Sequence, residues 1–242
     1  MNKVYIRLYG VLNKLVSLKF QNKVEYDFLL PTTVKDIIES MGIPHTEVSL
    51  ILLDNHSVGW DTKVKNNSRI SFFPFFYSFD VSKLSKVYVT PKKLKFICDV
   101  HLGKLAKYLR ILGFDCLYRN NLSDEEIINT GVKEKRIILT MDRGILKNGK
   151  VKFGALISNK KLKEQLIELN DRFQIYSKAK ILSRCIICNK KLIKVNRKKA
   201  SERFNYLKDK YYKDFLYCKE CKRIYYKGSH YKKMLNFLEN LL

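Results

Sequence analysis

The chain opens on alternating apolar and polar positions. The stretches "KVYIRLYGVL" and "KVEYDFLL" keep the period of two that turns one face of a strand inward. Val34, Ile37, Ile38 and Met41 then recur at i, i+3, i+4 and i+7, which predicts an amphipathic helix. Thr32 or Thr33 is placed to cap its start, Gly42 to end it, and Pro44 bars continuation. "VSLILLDN", a turn through His56 to Gly59, and "SRISFFPFF" complete a β-β-α-β-β order over residues 1–76. The pattern fades over residues 77–93, where the proline of "TPKK" marks a boundary. Beyond it, "LKFIC", "FDCLY", "RIILT" and "FGALI" read as strands apolar on both faces. They alternate with the helical patterns "HLGKLAKYLRIL", "SDEEIINTGV" and "KKLKEQLIEL".

Three units follow from this order. Residues 1–80 are expected to form a ubiquitin-like β-grasp domain. Residues 93–180 are expected to form an α/β domain, a parallel sheet with helices on both faces. Residues 181–242 hold four cysteines and read as a small basic metal-binding ribbon. "VGWDTKVKNNSRISFFP" resembles the closing segment of the sulfur-carrier branch of the β-grasp superfamily. Those carriers end in Gly-Gly, whereas here the equivalent place reads "FFYSFD" and the chain continues. Sulfur transfer and conjugation are therefore not expected, and a scaffold role with a protein partner for this domain is.

Charge sharpens the division. Residues 1–80 carry 9 Lys and Arg against 8 Asp and Glu, residues 81–180 carry 22 against 10, and residues 181–242 carry 17 against 5. The first unit is nearly neutral while the other two are each net +12. A polyanionic partner is expected for those two, nucleic acid above all. No apolar run reaches the eighteen residues of a membrane helix, and "MNKVYIRLYG" is broken by charges, so neither a membrane span nor a secretory signal is expected. A cytoplasmic location is the expectation.

Ligands of open parallel sheets bind beyond the carboxyl ends of the strands, and three acids fall there. Asp99 follows the first strand. Asp124, with Glu125 as the alternative, opens the helix after the second. Asp142 lies two residues past the third. Converging carboxylates repel each other unless a cation holds them, and Mg²⁺ or Mn²⁺ takes such oxygen ligands. Each acid also has a structural alternative. Asp99 can cap its helix, "SDEE" is a capping box with Ser123 at N-cap and Glu126 at N3, and Asp142 can cap "RGILKN". On the helix from His101, the residues Gly103, Lys104, Lys107 and Arg110 are expected opposite the apolar stripe, where Lys104 and Arg110 can meet phosphates, as can Arg143.

Cys185-x2-Cys188 and Cys218-x2-Cys221 have the spacing of two zinc knuckles, with all four positions filled by thiolates, so a structural zinc is expected. Asn189 and Lys222 follow the knuckles, where a left-handed residue is often required. Cys98 and Cys116 fall inside strand patterns and read as buried apolar residues. Tyr206, Tyr211, Tyr212, Tyr217, Tyr225, Tyr226 and Tyr231 can stack on unpaired bases or fill the ribbon's core.

"FICDVHLGKLAKYLRILGFDCLY", "SDEEII", "RIILTMDRGIL", the paired CxxC motifs and "RIYYKGSHYKKM" together resemble the Mut-seven C-terminal RNase family. That family joins a PIN-like nuclease domain to a zinc ribbon, and some members carry an N-terminal ubiquitin-like domain. The resemblance spans essentially the whole chain. It implies a metal-dependent ribonuclease acting on RNA, with acids matching Asp99, Asp124 and Asp142 and a motif histidine at His230. PIN nucleases often place a further acid near the end of the fourth strand, where this chain has Ser158 and Asn159. The alternative is an RNA- or ribosome-binding adaptor without turnover.

Overall fold

The computed structural model describes residues 1–17, 23–76, 80–87, 93–196 and 215–239. Strand β1 (Asn2–Leu8) buries Val4, Ile6 and Leu8 and turns Lys3, Tyr5 and Arg7 outward. It pairs antiparallel with β2 (Lys23–Phe28) and parallel with β5 (Ser68–Phe73). Strands β3 (Leu50–Leu53) and β4 (His56–Ser57) complete the order β2-β1-β5-β3-β4. The segment expected as a plain turn from His56 thus begins with a two-residue strand. Helix α1 (Val34–Ser40) lays Val34, Ile37 and Ile38 on this sheet. Thr33 rather than Thr32 is its cap: Asp36 donates its backbone N–H to the Thr33 hydroxyl, and its carboxylate accepts from the Thr33 N–H.

The second unit is a wholly parallel sheet of β6 (Lys95–Cys98), β7 (Asp115–Leu117), β8 (Ile137–Thr140) and β9 (Gly154–Leu156), ordered β7-β6-β8-β9. Helices α2 (Gly103–Ile111) and α5 (Leu162–Phe173) share one core with Phe96, Cys98 and Leu139. The opposite face packs on α3 (Asp124–Glu134) and α4 (Arg143–Lys147). There Ile97, Ile127, Ile138 and Leu146 belong to a core continuous with Val4, Ile37 and Phe72 of the N-terminal domain. The two expected domains therefore share one hydrophobic cluster.

Beyond α5 the chain passes close under Gly113. A Cβ there would lie 2.2 Å from the Lys180 carbonyl oxygen, and φ is +92°, so a side chain is excluded on both counts. A three-stranded ribbon of β10 (Ile193–Val195), β11 (Phe215–Tyr217) and β12 (Ile224–Tyr226) leads into α6 (Ser229–Glu239). Phe237 of α6 meets Tyr108 of α2 edge-on, with ring centroids 5.2 Å apart.

Polar contacts fix how the first two units meet. Glu47 is fully buried; its Oε1 accepts the Leu156 N–H at 2.7 Å, and its carboxylate pairs with Arg172. Burial alone brings the Arg172 guanidinium down to about 10. His45 lies between the Glu39 carboxylate at 2.6 Å and the Val151 carbonyl at 2.8 Å. Glu47→Ala leaves a buried cation and an edge N–H without partners. A loss of about 3–5 kcal/mol is expected in urea unfolding, with much of it recovered when Arg172→Leu is added to Glu47→Leu. A Glu47→Ala chain as stable as its parent would refute the clamp.

Candidate active edge and metal centre

Three buried residues, Phe96 to Cys98, carry β6 to the carboxyl edge, where the backbone turns and Asp99 begins. Asp99 is 4% exposed. Its Oδ1 accepts the His101 N–H at 2.8 Å, capping a single 3-10 turn before α2. Its Oδ2 accepts the Met141 N–H at 2.9 Å, from the loop after β8. The expected cap is real, but it uses one oxygen; the other reaches the neighbouring strand. A carboxylate held by two N–H groups has one orientation.

Asp142 stands one residue beyond Met141. It is exposed, caps α4 by accepting the Gly144 N–H at 2.6 Å, and has its own N–H on the hydroxyl of buried Thr140. The strand order makes this juxtaposition meaningful. From β6 the chain crosses to β7 on one side, whereas β8 continues to β9 on the other. The helices that follow β6 and β8 pack on opposite faces of the sheet, the arrangement in which open α/β sheets bind ligands. Asp99 and Asp142 lie just past these two strand ends.

Asp124 opens α3, beyond the edge strand β7, and is exposed like Glu125. The capping box employs Ser123 and Glu126, so neither Asp124 nor Glu125 serves as the cap. The three acids do not form a closed cage. Among the described residues, one group of three or more Asp, Glu, His or Cys brings all its ligand atoms within 4.8 Å, and that group is the four cysteines.

A residue the sequence did not single out lies at the same edge. Glu168 of α5 accepts the Ser158 N–H at 3.3 Å and the Asn159 side-chain amide at 3.2 Å. Burial holds its carboxyl above the usual range against these two donors. A carboxylate therefore stands beside Ser158 and Asn159, though it arrives from a helix. Strand-end inspection misses it, because it comes from a helix and lies off that helix's apolar stripe.

The basic residues divide. Lys104 is exposed on the first turn of α2. Arg143 is exposed and donates to the Gly42 carbonyl of the N-terminal domain at 3.0 Å. Arg110 corrects the sequence reading. It is 7% exposed and donates to the carbonyls of Cys116 at 2.9 Å, Ile186 at 3.1 Å and Ile187 at 2.6 Å. Its hydrogen bonds point inward, so it pins the first knuckle to β7 rather than waiting for a phosphate. Gly103, also assigned to the outer face, lies under the Tyr118 ring, whose hydroxyl would be 2.6 Å from an added Cβ. The side chain of His230, in α6, lies outside the described residues.

The cysteines assemble from two matching knuckles. The Cys185 N–H bonds the Lys190 carbonyl and the Cys218 N–H bonds the Arg223 carbonyl, at 2.8 and 2.9 Å. Asn189 and Lys222 both take the left-handed conformation, with φ of 66° and 52°. The Sγ atoms of Cys185 and Cys221, and those of Cys188 and Cys218, approach to 3.3 Å. A tetrahedral zinc with sulfur ligands at about 2.3 Å needs sulfurs roughly 3.8 Å apart, so the four thiols can hold it after a small expansion. Burial tends to raise the Cys185 thiol, but N–H groups of Cys188 and Ile187 and the Tyr225 hydroxyl outweigh it and bring it to about 6. Tyr225 is thus held at the cluster and Tyr217 in the ribbon's core, while Tyr226 is 39% exposed. Tyr206, Tyr211 and Tyr212 lie outside the described residues. Cys98 and Cys116 are both buried between helix and sheet.

A polar seam seats the ribbon. The Asn189 amide donates to Asp115 at 2.8 Å while its oxygen accepts the Cys116 N–H at 3.1 Å. Arg136 and Arg184 close on the same carboxylate at 2.7 and 3.2 Å. Despite the counteracting burial, these donors hold Asp115 below the usual carboxylate range.

A parallel α/β domain with acids at its open edge, joined to a four-thiol ribbon and a β-grasp domain, defines the class of protein. Residues 94–238 match the model of the Mut7-C RNAse domain and residues 1–80 that of the Mut7-C ubiquitin domain; the chain belongs to the Mut7-C RNAse domain family. No curated protein matches the chain. A solved structure of a putative molybdopterin converting factor, subunit 1, from Pyrococcus furiosus is 19% identical over 31% of this chain and 98% of its own, with a TM-score of 0.25, too weak a likeness to carry weight. No helix among the described residues is long and apolar enough to cross a membrane.

Arg110→Ala is expected to lower stability by about 1.5–3 kcal/mol, the cost of carbonyls left without a charged donor, while RNA affinity of the folded protein stays within twofold. Paired denaturation and binding titrations check this. A large affinity loss in a fully stable variant would restore Arg110 to the RNA surface.

Proposed function

We propose that the chain is a metal-dependent ribonuclease whose active edge lies at the carboxyl ends of β6 and β8. The observation that carries this is Asp99, buried and fixed by two backbone N–H groups beside exposed Asp142. The donors are hard oxygens, suited to Mg²⁺ or Mn²⁺, and a spacing wider than a closed cage suits ions that keep several water ligands. Asp99 and Asp142 would hold the ion, and Asp124 and Glu168 would add negative charge from either side. When bound, the ion supplies an activated water and charge neutralisation at the scissile phosphate. Two backbone N–H groups, from His101 and Met141, set the orientation of Asp99. Lys104, exposed on the first turn of α2, would neutralise a neighbouring phosphate. The four cysteines hold a structural zinc, with no thiolate position left for water or substrate. The net +12 of each of the last two units favours RNA through charge alone.

The test uses purified full-length protein with single-stranded and structured RNA, with Mn²⁺ added or omitted. Asp99→Asn and Asp142→Asn are each expected to slow cleavage on the order of 10²-fold, and Glu168→Gln by a smaller factor, with binding retained. Metal analysis is expected to find one zinc per chain, lost with Cys188→Ser. Cleavage that persists equally in the Asp99 and Asp142 variants would exclude this edge. Binding without any cleavage would instead make the protein an RNA-binding adaptor.

A further inference from the structure

The outward face of the N-terminal sheet is turned away from the shared hydrophobic core. Its register sets Glu25, Tyr5 and Arg69 in one row and Lys23, Arg7 and Ser71 in the next. Tyr9, just past β1, stacks on Phe73 with ring centroids 4.2 Å apart and 14° between the planes. The Arg7 guanidinium lies over Tyr9 at 4.7 Å from its ring centre. Tyr5 is 44% exposed, and Arg7, Lys23 and Arg69 are exposed. A groove of about 580 Å³ runs among Tyr5, Arg7, Tyr9, Lys23 and Arg69.

A solvated sheet face ordinarily carries polar side chains; here planar rings alternate with cations. Lys3 pairs with Glu25, whereas among the described residues Arg7, Lys23 and Arg69 join no ion pair. On this face Lys3, Arg7, Lys23 and Arg69 outnumber the acids Glu25 and Asp27. Stacking rings beside a cationic groove are the combination that grips unpaired nucleotides, because every base has a π-face and every link a phosphate. Guanidinium planes stack on bases as well as rings do.

We propose that this face binds single-stranded RNA, a base entering between Tyr5 and the Arg7–Tyr9 stack while Lys23 and Arg69 meet the flanking phosphates. The groove also has a direction. Tyr9 runs straight into the 3-10 helix Gly10–Leu15. Val11 and Lys14 of that helix line a second cavity, of about 340 Å³, together with Ser158, Asn159 and Glu168. On this proposal RNA would run along β1 toward its carboxyl end, with Lys14 the cation facing it at the second cavity, whose other charged lining includes Glu164, Glu168 and Asp171. The platform does not rest on cleavage; a protein that only binds RNA would use it equally.

The experiment measures anisotropy of a short labelled oligouridylate on the full-length, zinc-loaded protein without added Mg²⁺ or Mn²⁺. Tyr5→Ala combined with Arg7→Ala is expected to weaken binding roughly fivefold or more, with an unchanged circular dichroism melt. Arg69→Ala should flatten the salt dependence by about 0.7 in logarithmic slope. Photocrosslinking with 4-thiouridine in the same oligonucleotide is expected to mark the peptide that holds Tyr5 and Tyr9. Unchanged affinity, with crosslinks confined to residues beyond 93, would overturn the proposal and leave the face to a protein partner. Asp99→Asn should keep the crosslink whether or not it abolishes cleavage, so the two readings fail separately.

Discussion

A four-stranded parallel sheet has two open edges, and the N–H groups along them must find partners when they are buried. In this protein a side chain from a neighbouring module takes an outward N–H on each edge. On the β9 side, the Glu47 carboxylate of the N-terminal domain takes the Leu156 N–H. On the β7 side, the Asn189 amide of the first knuckle takes the Cys116 N–H. Both are backed by buried guanidinium groups, Arg172 behind Glu47 and Arg136 behind Asp115, which holds Asn189. The flanking units are therefore structural parts of the central one. What remains open is the edge formed by the strand ends, where the acids lie.

That arrangement explains how far the sequence could be read. Strands apolar on both faces and helices with one apolar stripe announce themselves through local periodicity, so the parallel sheet and the β-grasp order were legible. Thiolate spacing is equally local, and Asn189 and Lys222 took the left-handed positions expected of them. Contacts between modules leave no such periodic trace. Arg110 looks solvent-facing on a helical wheel because the wheel knows one partner, the sheet. It became buried because a second partner, the knuckle, packs against its exposed flank. Glu47 gives no hint of burial either, since its partners lie more than a hundred residues away.

The same reasoning bears on the acids. Asp99 was open to two readings, helix cap or metal ligand, and the geometry makes them compatible. One oxygen caps the turn after β6 and the other ties down the loop after β8, which sets Asp142 at the same edge. A cap that spans two strands positions a site as well as a helix. Glu168 was invisible at the strand ends because it comes from α5, and the clamp sits one turn further along that helix at Arg172. The ion pair that docks the N-terminal domain thus also steadies the helix that brings a carboxylate beside Ser158 and Asn159.

From this follows a reason for the N-terminal domain to be rigidly attached. A flexible tether would let a separate RNA platform sample many orientations and contribute little beyond raised local concentration. Here the Glu47 clamp, the His45 contacts and a shared core dock the N-terminal domain, so that the 3-10 helix Gly10–Leu15 and α5 line one cavity. The outward sheet face, the cleft beside Ser158 and the edge at Asp99 are consequently fixed relative to one another. If the proposed platform holds RNA, its distance from the Asp99 edge is then set by the fold rather than by a tether.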